Sequence, residues 1–257
     1  MTVQPIPRMP SFRLEGRRAL VTGAGRGLGR ACAHALAEAG AHVIAVARSA
    51  DELAALVAEI NAAGGSAEAA PCDVMDMAAL AALFDDRPAA HVVVNNAGTN
   101  KPMPAFDVTV DDFDLIMDLN VRAAFFVAQA AARAMVRDGT SGSIINMSSQ
   151  MAHVGGPRRA VYCASKHAVE GFTKVMAAEW AEHGIRVNTI CPTFVETPMT
   201  KPFLSEPGFK ETVEQAILLG RVGQVEDVMG AIVYLASDAS ALVTGAPLML
   251  DGGWTAV

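Results

Sequence analysis

Positive charge is in short supply in this chain: 20 Lys and Arg stand against 27 Asp and Glu, a formal net charge of −7. That balance excludes broad electrostatic attraction to nucleic acid or to an anionic bilayer, and it favours a small-molecule partner over a polymer. Cysteine is sparse as well. The four, Cys32, Cys72, Cys163 and Cys191, lie far apart with no CxxC or Cys/His spacing. No metal is therefore expected, and the thiols read as reduced apolar fillers, with Cys163 singled out only by its place beside Tyr162. No run of about 18 uncharged apolar residues occurs. Residues 1–12 carry prolines where a secretory signal would have an apolar stretch, so no membrane association is expected and the compartment is read as the cytoplasm. Nor does any repeat, low-complexity tract or linker divide the chain. Phenols are rarer still: Tyr162 and Tyr234 are the only two.

What is present is a large apolar content, 52% of 257 residues with 18% charged, enough for one sizeable core. Residues 1–13 read as an N-terminal extension and 14–257 as a single domain. Within it, short β-branched runs alternate with longer Ala-rich stretches, the pattern of βαβ units. Strands are predicted at 19–22, 42–47, 67–72, 91–95, 143–147, 185–191 and 247–250. Several are continuously apolar, as parallel strands covered on both faces require. Helices are predicted at 26–39, 51–63, 77–84, 110–137, 160–183 and 226–236. The expected fold class is α/β: a Rossmann-type, doubly wound, seven-stranded parallel sheet with helices on both faces. Residues 192–219 carry Pro192, Pro198, Pro202, Pro207 and Gly208, and read as an interrupted excursion that is neither helix nor strand. Excursions of this length are commonly lids or binding loops.

The first strand runs into T-G-A-G-R-G-L-G at 22–29, and a helix follows at once. Gly23, Gly27 and Gly29 would allow a tight turn, close backbone approach to a pyrophosphate and tight helix packing, with the helix N-terminus facing the anion. An NAD-binding fold places a carboxylate about 20 residues past the glycines. Here the second strand ends V-I-A-V-A-R-S, with Arg48 and no acid. Arg48, helped by Arg26, could clamp a 2′-phosphate, which favours NADP(H) and leaves NAD(H) open.

Tyr162 and Lys166 lie four residues apart in a predicted helix and so share a face. A nearby ammonium is expected to lower the phenol pKa toward a useful range for proton transfer. Ser149 follows the fifth strand, where an open α/β sheet places its ligands. Its hydroxyl could bind a substrate oxygen as charge develops there, with Ser148 as its rival. Asn120 is a poor helix former inside a predicted long helix, free to bind water on a proton path to Lys166.

Taken in order, these motifs resemble the classical short-chain dehydrogenase/reductase family over almost the whole chain after the extension. The glycine loop is similar to that family's cofactor loop, N-N-A-G at 95–98 to its strand-4 motif, and Asn120 in D-L-N-V-R, Ser149 in I-I-N-M-S-S and Y-C-A-S-K at 162–166 to its active-site set. The resemblance implies Asn120, Ser149, Tyr162 and Lys166 as catalytic residues, with Tyr162 and Lys166 also contacting the cofactor, Lys166 at the nicotinamide ribose. It implies cofactor contacts from Leu28 in the loop, Asp73 and Val74 after the third strand, Asn95, Ala97 and Gly98 after the fourth, and Pro192, Val195 and Thr197 beside the nicotinamide. Thr193 departs from the family's usual glycine. Substrate contacts are expected from Thr99 and Lys101, from Gln150 and His153, and from the excursion. Lys101, Arg158 and Arg159 point to a carboxylate or phosphate on the substrate. The pattern is similar to sugar-acid and polyol dehydrogenases and to 3-oxoacyl carrier-protein reductases, and these stay open. So does a non-catalytic dinucleotide-binding sensor, although a sensor has no physical need of the proton-transfer set. The family resemblance also implies a homotetramer or homodimer, assembled through the helices at 110–137 and 160–183 and the C-terminal segment.

Overall fold

In the computed structural model, which describes residues 6–257, the β-branched runs become seven strands. They are β1 (Arg18–Thr22), β2 (His42–Ala47), β3 (Ser66–Pro71), β4 (Val92–Asn95), β5 (Gly142–Met147), β6 (Ile185–Pro192) and β7 (Pro247–Leu250). Each lies within a residue of its expected bounds. All pair in parallel in the order β3-β2-β1-β4-β5-β6-β7, so the sheet winds outward in both directions from the β1–β4 boundary. Residues 1–5 of the N-terminal extension lie outside the described residues.

The helices are α1 (Gly27–Glu38), α2 (Ala50–Ala62), α3 (Met77–Asp85), α4 (Val110–Met117), α5 (Ala124–Arg137), α6 (Ala160–Trp180), α7 (Lys201–Leu204), α8 (Phe209–Ala216) and α9 (Glu226–Ala236). Several begin where a side chain satisfies a free N–H: Ser49 accepts from Glu52 before α2, Asp76 from Ala78 and Ala79 before α3, and Thr109 from Asp112 before α4. Strand side chains alternate between the two faces. Ala19, Val21, Val43 and Val94 join Leu36, Leu53 and Ile232 in the layer of α1, α2 and α9. Leu20, Ile44 and Val93 join Leu83, Val127 and Met176 in the layer of α3, α5 and α6.

Two expectations are corrected. The helix expected over 110–137 is not continuous: a π-turn, Asp118–Ala123, separates α4 from α5, and Asn120 sits inside it. By length and composition Val110–Arg137 is apolar enough to cross a bilayer, but Val127, Ala131 and Met135 lie at 0–1% exposure against the sheet. The excursion at 192–219 also contains two short helices, α7 and α8. Its supposed breakers act as starters: Pro202 occupies the first turn of α7, where no N–H is missed, and Gly208, at φ +76°, turns the chain into α8.

Candidate active site

Strand order reverses between β1 and β4, which opens a crevice at the carboxyl ends of the strands. The glycine loop lies across it. Gly23 and Gly27 take left-handed backbone, φ +64° and +56°. A Cβ on Gly29 would overlap the Gly23 carbonyl oxygen, so helix and loop are closer than any side chain allows. Thr22 Oγ1 accepts from the N–H groups of Asn96 and Ala97 (3.0 and 3.1 Å), and Asn96 Nδ2 donates to the carbonyls of Thr22 and Gly23 (3.0 and 3.3 Å). Asn96, absent from the predicted set, is therefore the clamp on the loop. The second Asn of N-N-A-G was its only signal.

Asn95 does something else. It is 3% exposed and turns inward, its amide donating to Ala124 O and to Asn146 Oδ1 (2.7 and 3.0 Å). The expectation that it lines the adenosine side is corrected for its side chain, because strand alternation aims it into the α5 layer. Arg26 and Arg48 are exposed beside the loop and at the end of β2, and neither is ion-paired among the described residues. Leu28 packs against the α1-side core. Val74 is buried, and Asp73 caps the turn through the N–H of Met75 (3.0 Å). Thr197 reaches the loop from the other side: its Cβ lies 3.6 Å from where a Gly27 Cβ would be. Val195 is buried and bridges to Gly223. Thr193 holds its place by an N–H bond to Leu250 O, 3.1 Å.

Among the described residues, side-chain polar atoms wholly cut off from solvent and with no protein partner lie only at the ends of β4, β5 and β6: Asn95 Oδ1, Asn100 Oδ1, Ser148 Oγ, the Gln150 amide and Thr193 Oγ1. Unpartnered buried groups are costly. Their concentration on this edge, beside a loop in which a Cβ at Gly23 or Gly29 would collide with protein atoms, suits a polar dinucleotide.

The expected chemical set converges on the same edge. Ser149 Oγ accepts from Met151 N–H (3.1 Å) and faces Tyr162. Lys166, 6% exposed, donates from Nζ to the Met147 carbonyl (2.7 Å), and its amine lies 5.6 Å from the Tyr162 ring centroid. Gly98, lacking a Cβ, leaves room for the Asn120 amide: a Cβ there would stand 3.2 Å from Asn120 Oδ1, and 3.8 Å from Lys166 Nζ. Asn120 uses both ends of its amide. Its Oδ1 accepts from Thr99 N–H, and its Nδ2 donates to Thr99 O and Ser165 Oγ (2.8, 2.9 and 3.1 Å). Its amide thus pins the loop after β4 to α6.

The tuning of the phenol is also corrected. Burial pushes Tyr162 above its usual range, with Ser149 and the Arg159 charge pulling the other way. Burial brings Lys166 down to about 8, opposed by Cys191 and Glu170. Desolvation outweighs the attraction expected between the two.

Residues 23–255 match the family model described as enoyl-(acyl carrier protein) reductase, adh_short_C2. The chain belongs to the short-chain dehydrogenase/reductase family. It is an oxidoreductase of that family, acting between CH–OH and carbonyl groups. It is 40% identical to L-xylulose reductase of Bos taurus, over 95% of this chain and 99% of that one. It is likewise 40% identical to gluconate 5-dehydrogenase of Gluconobacter oxydans, over 95% and 96%. Among solved structures, a gluconate 5-dehydrogenase from Burkholderia cenocepacia in complex with NADP and tartrate superposes with a TM-score of 0.92 at 38% identity, covering 96% of this chain and 98% of that one.

On the substrate side of this short-chain dehydrogenase/reductase, the expected residues scatter. Gln150 is buried beside Ser149 with both amide atoms unpartnered, and Thr99 serves through its backbone. Lys101 is withdrawn into an ion pair with Asp112. His153 turns toward Cys191 and Glu170, with Nε2 3.6 Å from Sγ and 3.9 Å from Oε1. The Cys191 thiol donates to Glu170 (3.3 Å), and burial with the Glu170 charge pushes it up to about 12, which keeps it a neutral, reduced thiol. The three ligand-type atoms lie within 4.8 Å of one another, a grouping that residues 153, 170 and 191 could not announce in sequence.

Proposed function

We propose that the protein is an NADP(H)-dependent dehydrogenase that interconverts a secondary alcohol and a ketone on a sugar, sugar acid or polyol. One observation carries this reading: Ser149, Tyr162 and Lys166 meet behind a glycine cradle at the carboxyl edge of the sheet. The nicotinamide, when bound, supplies or accepts the hydride. Leu28, Asp73, Val74, Ala97, Gly98, Pro192, Val195 and Thr197 would line the cofactor's path. Arg26 and Arg48, both unpaired among the described residues and with no acid at the end of β2, would hold the 2′-phosphate. In reduction the Tyr162 hydroxyl gives its proton to the ketone oxygen as hydride reaches the carbon. In oxidation the phenolate takes the proton from the alcohol. Ser149 orients the reacting oxygen and stabilises charge on it. Lys166 would hold the nicotinamide ribose, and Asn120 fixes the Thr99 loop that walls the cleft.

The L-xylulose reductase and gluconate 5-dehydrogenase relatives support the substrate class. Residues 192–219 form a lid, roofed by Phe194 between Phe209 and Trp254 at centroid distances of 5.6 and 6.1 Å. The protein works as a single catalytic domain over 14–257, in the cytoplasm, where its four free thiols stay reduced. The test is a screen of sugars, sugar acids, polyols and short 3-oxoacyl esters against NADP(H) and NAD(H), read by reduced-cofactor absorbance. Turnover of a polyhydroxy substrate with NADP(H) preferred is expected; turnover confined to oxoacyl esters, or none at all, overturns the reading.

A further inference from the structure

Three cations stand near the mouth of the cleft, and the fold treats each differently. Lys101 is neutralised by Asp112. Arg158 is exposed, in left-handed backbone at φ +63°, with its carbonyl held by Met103 N–H at 2.9 Å. Arg159 is 7% exposed and, among the described residues, has neither an ion pair nor a side-chain hydrogen bond. Its guanidinium lies 5.3 Å from the ring centroid of Phe194 and 5.5 Å from that of Phe203, both on the segment that roofs the cleft. Aromatic faces offset only part of the cost of burying an unpaired cation. Neither ring offers an oxygen, so a planar fork of five donors is left without a protein acceptor. Arg159 also stands at the N-cap of α6, three residues before Tyr162, and supplies no side-chain acceptor to the first-turn N–H groups. The helix end therefore adds its own positive potential. Arg159 and Tyr162 line the same small cavity with Lys101 and Met103, so the Arg159 side chain stands on the Tyr162 side of the helix.

We propose that Arg159 is the receptor for the substrate's carboxylate, so that this dehydrogenase prefers sugar acids to neutral sugars and polyols. The inference rests on the function proposed above and narrows its substrate. A carboxylate is planar, carries two acceptor oxygens and matches the fork bidentately. The lid aromatics would close over the pair and keep water from it.

The experiment compares a six-carbon aldonate with the polyol that differs from it only by CH₂OH in place of the carboxylate, each oxidised with NADP⁺ by the wild type, Arg159→Met and Arg159→Lys. Wild type is expected to favour the aldonate in kcat/KM by at least about 10²-fold, the scale of a desolvated charge pair. In Arg159→Met that preference collapses toward unity, mostly through KM, because the contact is remote from the reacting carbon. Arg159→Lys keeps charge and stem but loses the fork, and is expected to retain an intermediate preference, which also serves if the Met variant fails to fold. Melting temperature and NADPH titration establish folding for both. A wild type that uses the polyol as well as the aldonate, or an Arg159→Met enzyme that keeps the preference, overturns the inference and leaves the hydride-transfer function standing. Failure to turn over either compound, or any other polyhydroxy substrate, strikes the function itself and the inference with it.

Discussion

Tyr162 has to keep a proton until a substrate oxygen needs it, and its burial does that: the phenol sits above its usual range, so the acid form persists through neutral pH. Tyr162→Phe removes the transferable proton without disturbing the packing. It is expected to lower kcat about 10³-fold, within the range for general acid–base groups, while NADPH affinity in a fluorescence titration stays the same. Lys166 sets the other limit. Burial lowers its amine from 10.5 to about 8, so the ammonium that would hold the ribose is lost as pH rises through that value. For ketone reduction, kcat/KM is expected to fall about tenfold per pH unit above the Lys166 pKa. Lys166→Arg, whatever its absolute rate, should show no such falling limb below pH ~10, since a guanidinium stays charged. A wild-type profile flat to that pH would contradict the assignment. Both directions depend on desolvation by surrounding atoms. The four-residue spacing of Tyr162 and Lys166 was legible in sequence; the sign of the net shift on the phenol was not.

At the scale of elements, the glycine loop and the π-turn differ in how far sequence could reach. The loop is a local steric device. Gly29 packs against the Gly23 carbonyl so closely that Gly29→Ala must push α1 from β1 or distort the loop. Overpacking of this kind costs about 1–3 kcal/mol. The expected result is a melting temperature lowered by several degrees and an NADPH affinity weakened at least tenfold in titration; unchanged binding would show that the loop does not cradle the dinucleotide. The π-turn at Asp118–Ala123 was read as plain helix because its apolar spacing stays close to helical. What swells the helix is the demand of Asn120 for Thr99 and Ser165, partners 21 and 45 residues away in the chain. Pro202 and Gly208 were misjudged for a related reason. Both residues start helices as readily as they stop them, and only the flanking contacts decide which.

For the whole molecule, the outer faces of α5 and α6 form an apolar groove of about 750 Å³ lined by Phe125, Phe172, Val175, Met176 and Trp180. Val136 and Val175 are 47% and 54% exposed there. A face of this kind fits the expected assembly of like subunits through these helices. Sedimentation is expected to give a tetramer or dimer, and Val175→Glu, harmless to an isolated subunit by its exposure, should reduce the sedimenting mass. A wild type that sediments as a monomer at micromolar concentration would remove the groove from consideration. By itself the sequence determined the strands, the cofactor loop and the spacing of Ser149, Tyr162 and Lys166. Periodicity, glycine sterics and helical register act over a handful of neighbours and can be read in a line. Only the tertiary structure decided that Asn96 rather than Asn95 clamps the loop, that Lys101 is neutralised while Arg159 is not, and that His153, Glu170 and Cys191 meet. Those outcomes turn on desolvation and on distances between residues far apart in the chain, and burial and pairing are properties of the fold.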